Sequence, residues 1–335
     1  MTVTGQDNQQ ADKPAEGEQV TTEAVVQAAP IEAPAKTGGF NVWPLVIVLL
    51  IAALGAAAFV LWKKRRAVPV ISDVGATEAG GDVGIGIRVG GAQTIGKRSD
   101  QEDSLCYSNW QNVAEYNERG LLAAVSDGIG GLEKSELASQ TAMRNMRVRF
   151  LKQDPAVAPA DRLLELTGAA QQDVLALNHA LPQGSRVMGA TLVSVLIQRN
   201  LLWLSSVGDS RIYLYRAGAM LPLNRPHVFG KENREDAVLT GGGRPSDARQ
   251  DKKLTAYLGQ ENLRKVDRNV NPIKLMPSDR VLLMSDGVFG TVGEDEMVRS
   301  MGLSPDLAAK DIIRMVEAAN KPHQDNATVV VIALD

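Results

Sequence analysis

The chain has 335 residues, room for one large domain or two small ones with appendages, and its formal charge of −3 excludes the broadly basic surface of a nucleic-acid binder. A single cysteine, Cys106, excludes an internal disulfide and a multi-Cys zinc site. Three histidines leave little for a His-rich metal centre, so a metal here would sit among carboxylates, which suit hard cations such as Mg2+ or Mn2+.

Residues 1–39 are rich in Ala, Gln, Glu, Pro and Thr, lack apolar periodicity and read as a disordered acidic tail. From Phe40 to Trp62 no residue is charged, Trp43 and Trp62 mark the two ends, and Lys63-Lys64-Arg65-Arg66 follows. This predicts a transmembrane helix over 40–62 that contacts the lipid bilayer, with the chain after residue 66 in the cytoplasm and the tail on the opposite side. A cleaved signal peptide fits poorly, because the apolar stretch starts late and its basic cluster follows it. Residues 63–81 read as a basic juxtamembrane segment and linker, and 82–335 as one domain.

Within the domain, strands are expected at Val83–Val89, Ser104–Asn109 and Leu121–Ser126, and helices at Glu133–Leu151 and Pro159–Leu181. Three strands follow at Met188–Gln198, Leu201–Val207 and Arg211–Arg216, expected as an antiparallel meander. The stretch from Arg216 to Leu254 reads as an irregular, charged, Gly-rich insert. A strand at Arg280–Ser285, a helix at Pro305–Ala319 and a strand at Ala327–Leu334 close the domain. Strand runs separated by paired helices argue for an α+β fold with mainly antiparallel sheets, not a parallel Rossmann sheet.

One pattern recurs: an apolar strand running into an aspartate followed by a small residue. Leu121–Ser126 leads into Asp127-Gly128, Leu201–Val207 into Gly208-Asp209-Ser210, Val281–Ser285 into Asp286-Gly287, and Asp325-Asn326 precedes the last strand. Glu102-Asp103 adds two more acids, with Arg98 just upstream. Each Asp-Gly alone is an ordinary turn signal. Gathered on one rim, such acids would repel one another unless a divalent cation held them. Gly128 could offer its carbonyl as a further ligand, and Arg98 suits bidentate phosphate binding. Gly84-Ile-Gly86 is discounted as a nucleotide loop because no helix follows it. Cys106 is discounted as a nucleophile because it falls in a strand, not in a phosphate-binding loop.

The ordered set Arg98-Ser-Asp-Gln-Glu102-Asp103, SDGIGG, GATL, VGDSRIYLYRAG, LLMSDGVFG and DNATVVVI resembles the PPM, or PP2C, family of phosphatases over roughly residues 84–334. The resemblance implies a four-layer α-β-β-α sandwich of two mainly antiparallel sheets flanked by helices, here preceded by the transmembrane helix. It implies direct hydrolysis of phosphoserine or phosphothreonine in proteins by a water bridging two Mg2+ or Mn2+ ions. Asp127, with the Gly128 carbonyl, Asp286 and Asp325, takes the metal-ligand positions. Glu102 takes that of the acid holding metal-bound water, with Asp103 its neighbour, and Arg98 that of the phosphate-binding residue. Asp209 with Asp286 falls on a third, weaker metal site. Phosphorylated proteins and a cognate Ser/Thr kinase are the implied partners. Ile129 stands where many members carry a proton-donating histidine, and Gln101 where the usual pattern has asparagine. Ile129 leans toward the alternative of a weak or inactive phosphoprotein-binding module of the same fold; His323 is a candidate general acid. The insert falls where the family places its flap.

Overall fold

The computed structural model describes residues 86–129, 134–185, 187–240 and 245–335, which belong to a compact unit, Gly80–Asp335. The expected tail (1–39), transmembrane helix (40–62) and linker (63–81) lie outside these residues. So do residues 83–85 of the first expected strand, Gly130-Gly131, and 241–244 of the insert. Among the described residues, no helix is long and apolar enough to cross a membrane.

Eleven strands form among the described residues: β1 (Ile87–Thr94), β2 (Asp103–Tyr107), β3 (Leu121–Asp127), β4 (Leu192–Gln198), β5 (Leu201–Val207), β6 (Arg211–Arg216), β7 (Ala219–Pro222), β8 (Asp267–Arg268), β9 (Ile273–Lys274), β10 (Arg280–Met284) and β11 (Ala327–Leu334). They make two antiparallel sheets, one ordered β1-β11-β10-β6-β7 and the other β2-β3-β4-β5-β8, with β9 also paired to β5. The longer helices are α2 (Ser135–Lys152), α3 (Pro159–His179) and α8 (Pro305–Ala318). Shorter ones are α1 (Val113–Arg119), α4 (Phe229–Thr240), α5 (Ala248–Asp251), α6 (Asp286–Phe289) and α7 (Glu294–Val298).

Strand composition explains the layering. In β3 the run Leu121–Val125 is fully buried on both faces, as a continuous apolar strand should be. Leu121, Ala123 and Val125 point into the core between the sheets, while Leu122 and Ala124 point at α2 and α3. β11 repeats this, with Val330, Ile332 and Leu334 between the sheets and Val329 and Val331 under α8. Helices, sheet, sheet and helices therefore stack in that order.

Three expectations need correction. β6 does not continue a meander with β4 and β5; it pairs with β10 and β7 in the opposite sheet. The chain changes sheets at Gly208-Asp209-Ser210. Gly208 has φ +101°, a left-handed turn open to glycine, and a Cβ there would lie 2.8 Å from Thr191. Among the described residues the first strand runs from Ile87 to Thr94, past its expected end at Val89, and β4 starts at Leu192 rather than Met188. The insert is not irregular: it carries β7, α4 and α5. Ion pairs of Lys265 with Glu232 (2.6 Å) and of Arg225 with Glu235 fix α4 at its polar positions, which hydrophobic periodicity cannot register.

Candidate metal and phosphate site

Antiparallel pairing gathers the acids. The C-terminal ends of β3, β5 and β10 and the N-terminal ends of β2 and β11 share one rim of the sandwich, so Asp127, Asp209, Asp286, Asp103 and Asp325 meet there although 222 residues separate the first from the last. Asp103 lies opposite Asp127 in the β2–β3 register. Asp127 stands within hydrogen-bonding range of both Asp103 and Asp286. The two sheets are stitched at this point: Ser285 Oγ donates to Asp103 Oδ2 (2.7 Å) and accepts from the Thr328 N–H (3.0 Å). The backbone of Asp127 is held by Thr191, whose Oγ1 accepts from the Asp127 N–H (3.0 Å) and whose N–H donates to the Asp127 carbonyl (2.8 Å).

The electrostatics are those of crowded anions. Burial pushes Asp127 well above the ordinary carboxylate range, and repulsion from Asp103, Asp286, Asp209 and Asp325 adds to it. Burial pushes Asp103 up to about 7, although Ser285 favours its ionised form. Asp209 rises to about 6, from burial and then Asp286; Asp286 rises from burial and then Asp325. Arg98 seats its guanidinium among the acids, 2.8 Å from Asp325 and 3.7 Å from Glu102. Burial opposes its charge, but Asp325, Glu102 and Asp286 together raise its pKa.

Among the described residues, no three acidic, His or Cys side chains close on one point tightly enough to cage a metal ion as they stand. The aspartates touch pairwise, a contact that needs a shared proton or a cation between them. The donor set nevertheless fits hard divalent cations. It is all oxygen, its charges repel one another, and the buried Asp103 Oδ1 has no hydrogen-bond partner.

A pH dependence follows from the sign of these shifts. Carboxyls whose folded-state pKa is raised bind protons more tightly folded than unfolded, so they stabilise the metal-free fold only while protonated. Their stabilisation is complete below about pH 4, near the unfolded value, and is lost as pH rises toward about 7. Melting curves in EDTA should therefore show a temperature that falls from pH 5 to pH 8, and added Mn2+ should remove most of that fall. A flat EDTA profile would contradict it.

The remaining predicted residues divide clearly. Glu102 lies on the rim: its N–H donates to Asn326 Oδ1 (2.7 Å) and its carbonyl accepts from the Gly128 N–H (3.1 Å). Gly128 is thus a tie between the Glu102 and Asp127 loops. Asp103 is 2% exposed, an interior acid rather than one open to substrate. Ile129 packs its Cδ1 toward Gly189 beside Tyr257, an apolar contact with no proton to give. His323 is exposed. Sequence reasoning missed Ser135, Ser139, Ser285 and the bracing role of Asn326. Serines carry no motif signal by themselves, and only the fold brings them to the acids.

A protein-family model described as protein phosphatase 2C matches residues 95–327. The serine/threonine phosphatase stp of Listeria innocua is 27% identical over 223 residues, covering 66% of this chain and 87% of that protein. Among solved structures, the PPM Ser-Thr phosphatase MsPP from Mycobacterium smegmatis, in complex with cacodylate, superposes with a TM-score of 0.58 at 27% identity, over 74% of this chain and 98% of that one. The catalytic domain of the phosphatase PstP, in complex with two manganese ions, superposes with a TM-score of 0.58 at 25% identity, over 74% and 99%. The chain belongs to the protein phosphatase 2C family and is a protein-serine/threonine phosphatase.

Proposed function

We propose that this chain hydrolyses phosphoserine and phosphothreonine in proteins at the acidic rim, using two Mg2+ or Mn2+ ions. Asp127, the Gly128 carbonyl, Asp286 and Asp325 would hold the ions, with Asp209 and Asp286 as a weaker third site. The observation that carries the reading is the crowding of four aspartates around Asp127. The two manganese ions of the PstP complex support it. Bound there, divalent cations supply charge neutralisation for the phosphoryl oxygens and an activated water.

The chain's own residues do the rest. Arg98 swings its guanidinium from Asp325 and Glu102 onto two phosphate oxygens, which fixes the phosphorus for in-line attack. Glu102 accepts a hydrogen bond from the attacking water and orients it. Asp103, buried behind Asp127, sets the local field and reaches no substrate. The phosphate ester P–O bond breaks as the water oxygen bonds to phosphorus; the water gives up one proton to solvent, and the leaving serine or threonine oxygen takes one from solvent, because Ile129 has none to give.

The reading extends to the whole chain. Residues 40–62 anchor it in a bilayer, the phosphatase domain faces the cytoplasm and the acidic tail the other side, and a cognate Ser/Thr kinase supplies phosphorylated partners. The apolar run followed by Lys63–Arg66 supports this.

Phosphate release from a phosphothreonine peptide tests the chemistry. EDTA should abolish turnover and Mn2+ restore it; turnover that survives EDTA would reject the metal-dependent reaction. Arg98→Ala should lower kcat/KM about 10- to 100-fold, the worth of one or two charge-assisted hydrogen bonds, mostly through KM. A change under twofold would remove Arg98 from phosphate binding.

A further inference from the structure

Glu102 is gripped at five points, three on its backbone and two on its carboxylate. Asn326 and Gly128 hold its backbone, and Ser139 Oγ donates to its carbonyl at 2.5 Å. These contacts fix where the residue sits and leave its side chain free to rotate. Among the described residues, the carboxylate's polar contacts are Arg98, 3.7 Å from Oε2, and Ser135, whose hydroxyl donates to Oε1.

Ser135 is the first residue of α2, one position past the N-cap, which is where a side chain ordinarily caps a helix. Here the preceding Lys134 makes no side-chain cap and Ser135 does not turn its hydroxyl back on α2. The hydroxyl instead reaches an acid 33 positions earlier in the chain, and the residue is 1% exposed. A buried hydroxyl spent on an acid at the rim is placed for that acid.

We propose that Ser135 is a positioning residue for Glu102, locking Oε1 so that Oε2 faces the phosphate and the attacking water. The inference rests on the reading that Glu102 orients that water. Arg98 cannot hold Glu102 during reaction, because its guanidinium is then on the phosphate. Ser135 is the neighbour whose hold does not change when substrate arrives. Without it the glutamate side chain recovers the rotamers that the hydrogen bond froze, and misaligned conformers lower the fraction of productive encounters.

The test is a double-mutant cycle on the full-length protein in detergent, with a phosphothreonine peptide and saturating Mn2+. Ser135→Ala should lower kcat about 10- to 100-fold, the usual effect of removing a residue that orients a site group, with KM within about twofold. Ser135→Gly removes the same hydroxyl with less bulk and should fall equally. Glu102→Ala should lose most activity, and adding Ser135→Ala to it should change the rate by less than about twofold, because residues acting as a unit are not additive. If Glu102→Ala is inactive while both Ser135 variants stay within twofold of wild type, the inference is overturned and the role of Glu102 stands. If Ser135→Ala costs as much in the Glu102→Ala background as in wild type, its role is structural and the inference fails. If Glu102→Ala keeps full activity, the reading beneath it fails first.

Discussion

Asp127→Asn is expected to abolish phosphatase activity and, in EDTA at pH 8, to raise the melting temperature of the same protein. The two effects have one cause. Asp127 lies at the centre of the acidic rim, pressed by Asp103, Asp286, Asp209 and Asp325, and its charge is tolerable only when a cation or proton offsets it. Asparagine keeps the shape and removes the charge, and its amide can donate to the neighbouring carboxylates. The backbone stays fastened to Thr191 at both its N–H and its carbonyl. Stability without metal should therefore rise, by roughly 2–4 °C for each kcal/mol in a domain of this size. Activity should fall by about 100-fold or more, beyond the usual loss from removing a mere supporting residue. Thermal melts with and without Mn2+, beside phosphopeptide assays, check both halves. A variant that is less stable than wild type in EDTA would mean the acids do not repel as described.

Gly287→Ala should be nearly as damaging, for a steric reason. A Cβ at Gly287 would lie 1.9 Å from the Asn326 carbonyl oxygen, a backbone atom that cannot step aside alone. Asn326 is the brace of the phosphate side of the site. Its Oδ1 accepts from the Glu102 N–H (2.7 Å), and its Nδ2 donates to the carbonyls of Ile95 (2.8 Å) and Asp100 (3.1 Å). Moving it displaces Asp325 on one side and the Arg98–Glu102 loop on the other, while Asp286 adjoins the new methyl group. Overpacking of this kind costs about 1–3 kcal/mol, and misplacing reacting groups by about 1 Å costs about 100-fold in rate. Gly302→Ala is the control, since nothing lies within 4 Å of a Cβ there. Phosphopeptide turnover and melting of both variants decide the matter; Gly287→Ala within threefold of wild-type activity would refute the bracing role of Asn326.

The acidic rim was legible in sequence because its signal is local. An apolar strand, an aspartate and a small residue lie within ten positions, and this recurs at Asp127, Asp209 and Asp286. Strands buried on both faces, such as β3 and β11, read as uninterrupted apolar runs for the same reason. What stayed hidden depends on long-range partners. The transfer of β6 to the second sheet is decided by pairing with β10, about 70 residues later, and β4, β5 and β6 look alike before pairing is known. Helix α4 is polar over most of its surface and is held by ion pairs, so it carries no apolar stripe to read. The interior place of Asp103 follows from Ser285 reaching across the sheets, a contact spanning 182 positions. Ser135 reaches Glu102 in the same way.

Calorimetric titration of the EDTA-stripped full-length protein with Mn2+ puts the central claim to its most direct trial. The crowded rim should take up two ions per chain, releasing protons as the raised carboxyls ionise, with more protons released at pH 6 than at pH 8. Asp127→Asn should lose this uptake. Wild-type protein that binds no Mn2+, or an Asp127→Asn variant that binds it equally well, would contradict the assignment of these aspartates to a divalent cation site.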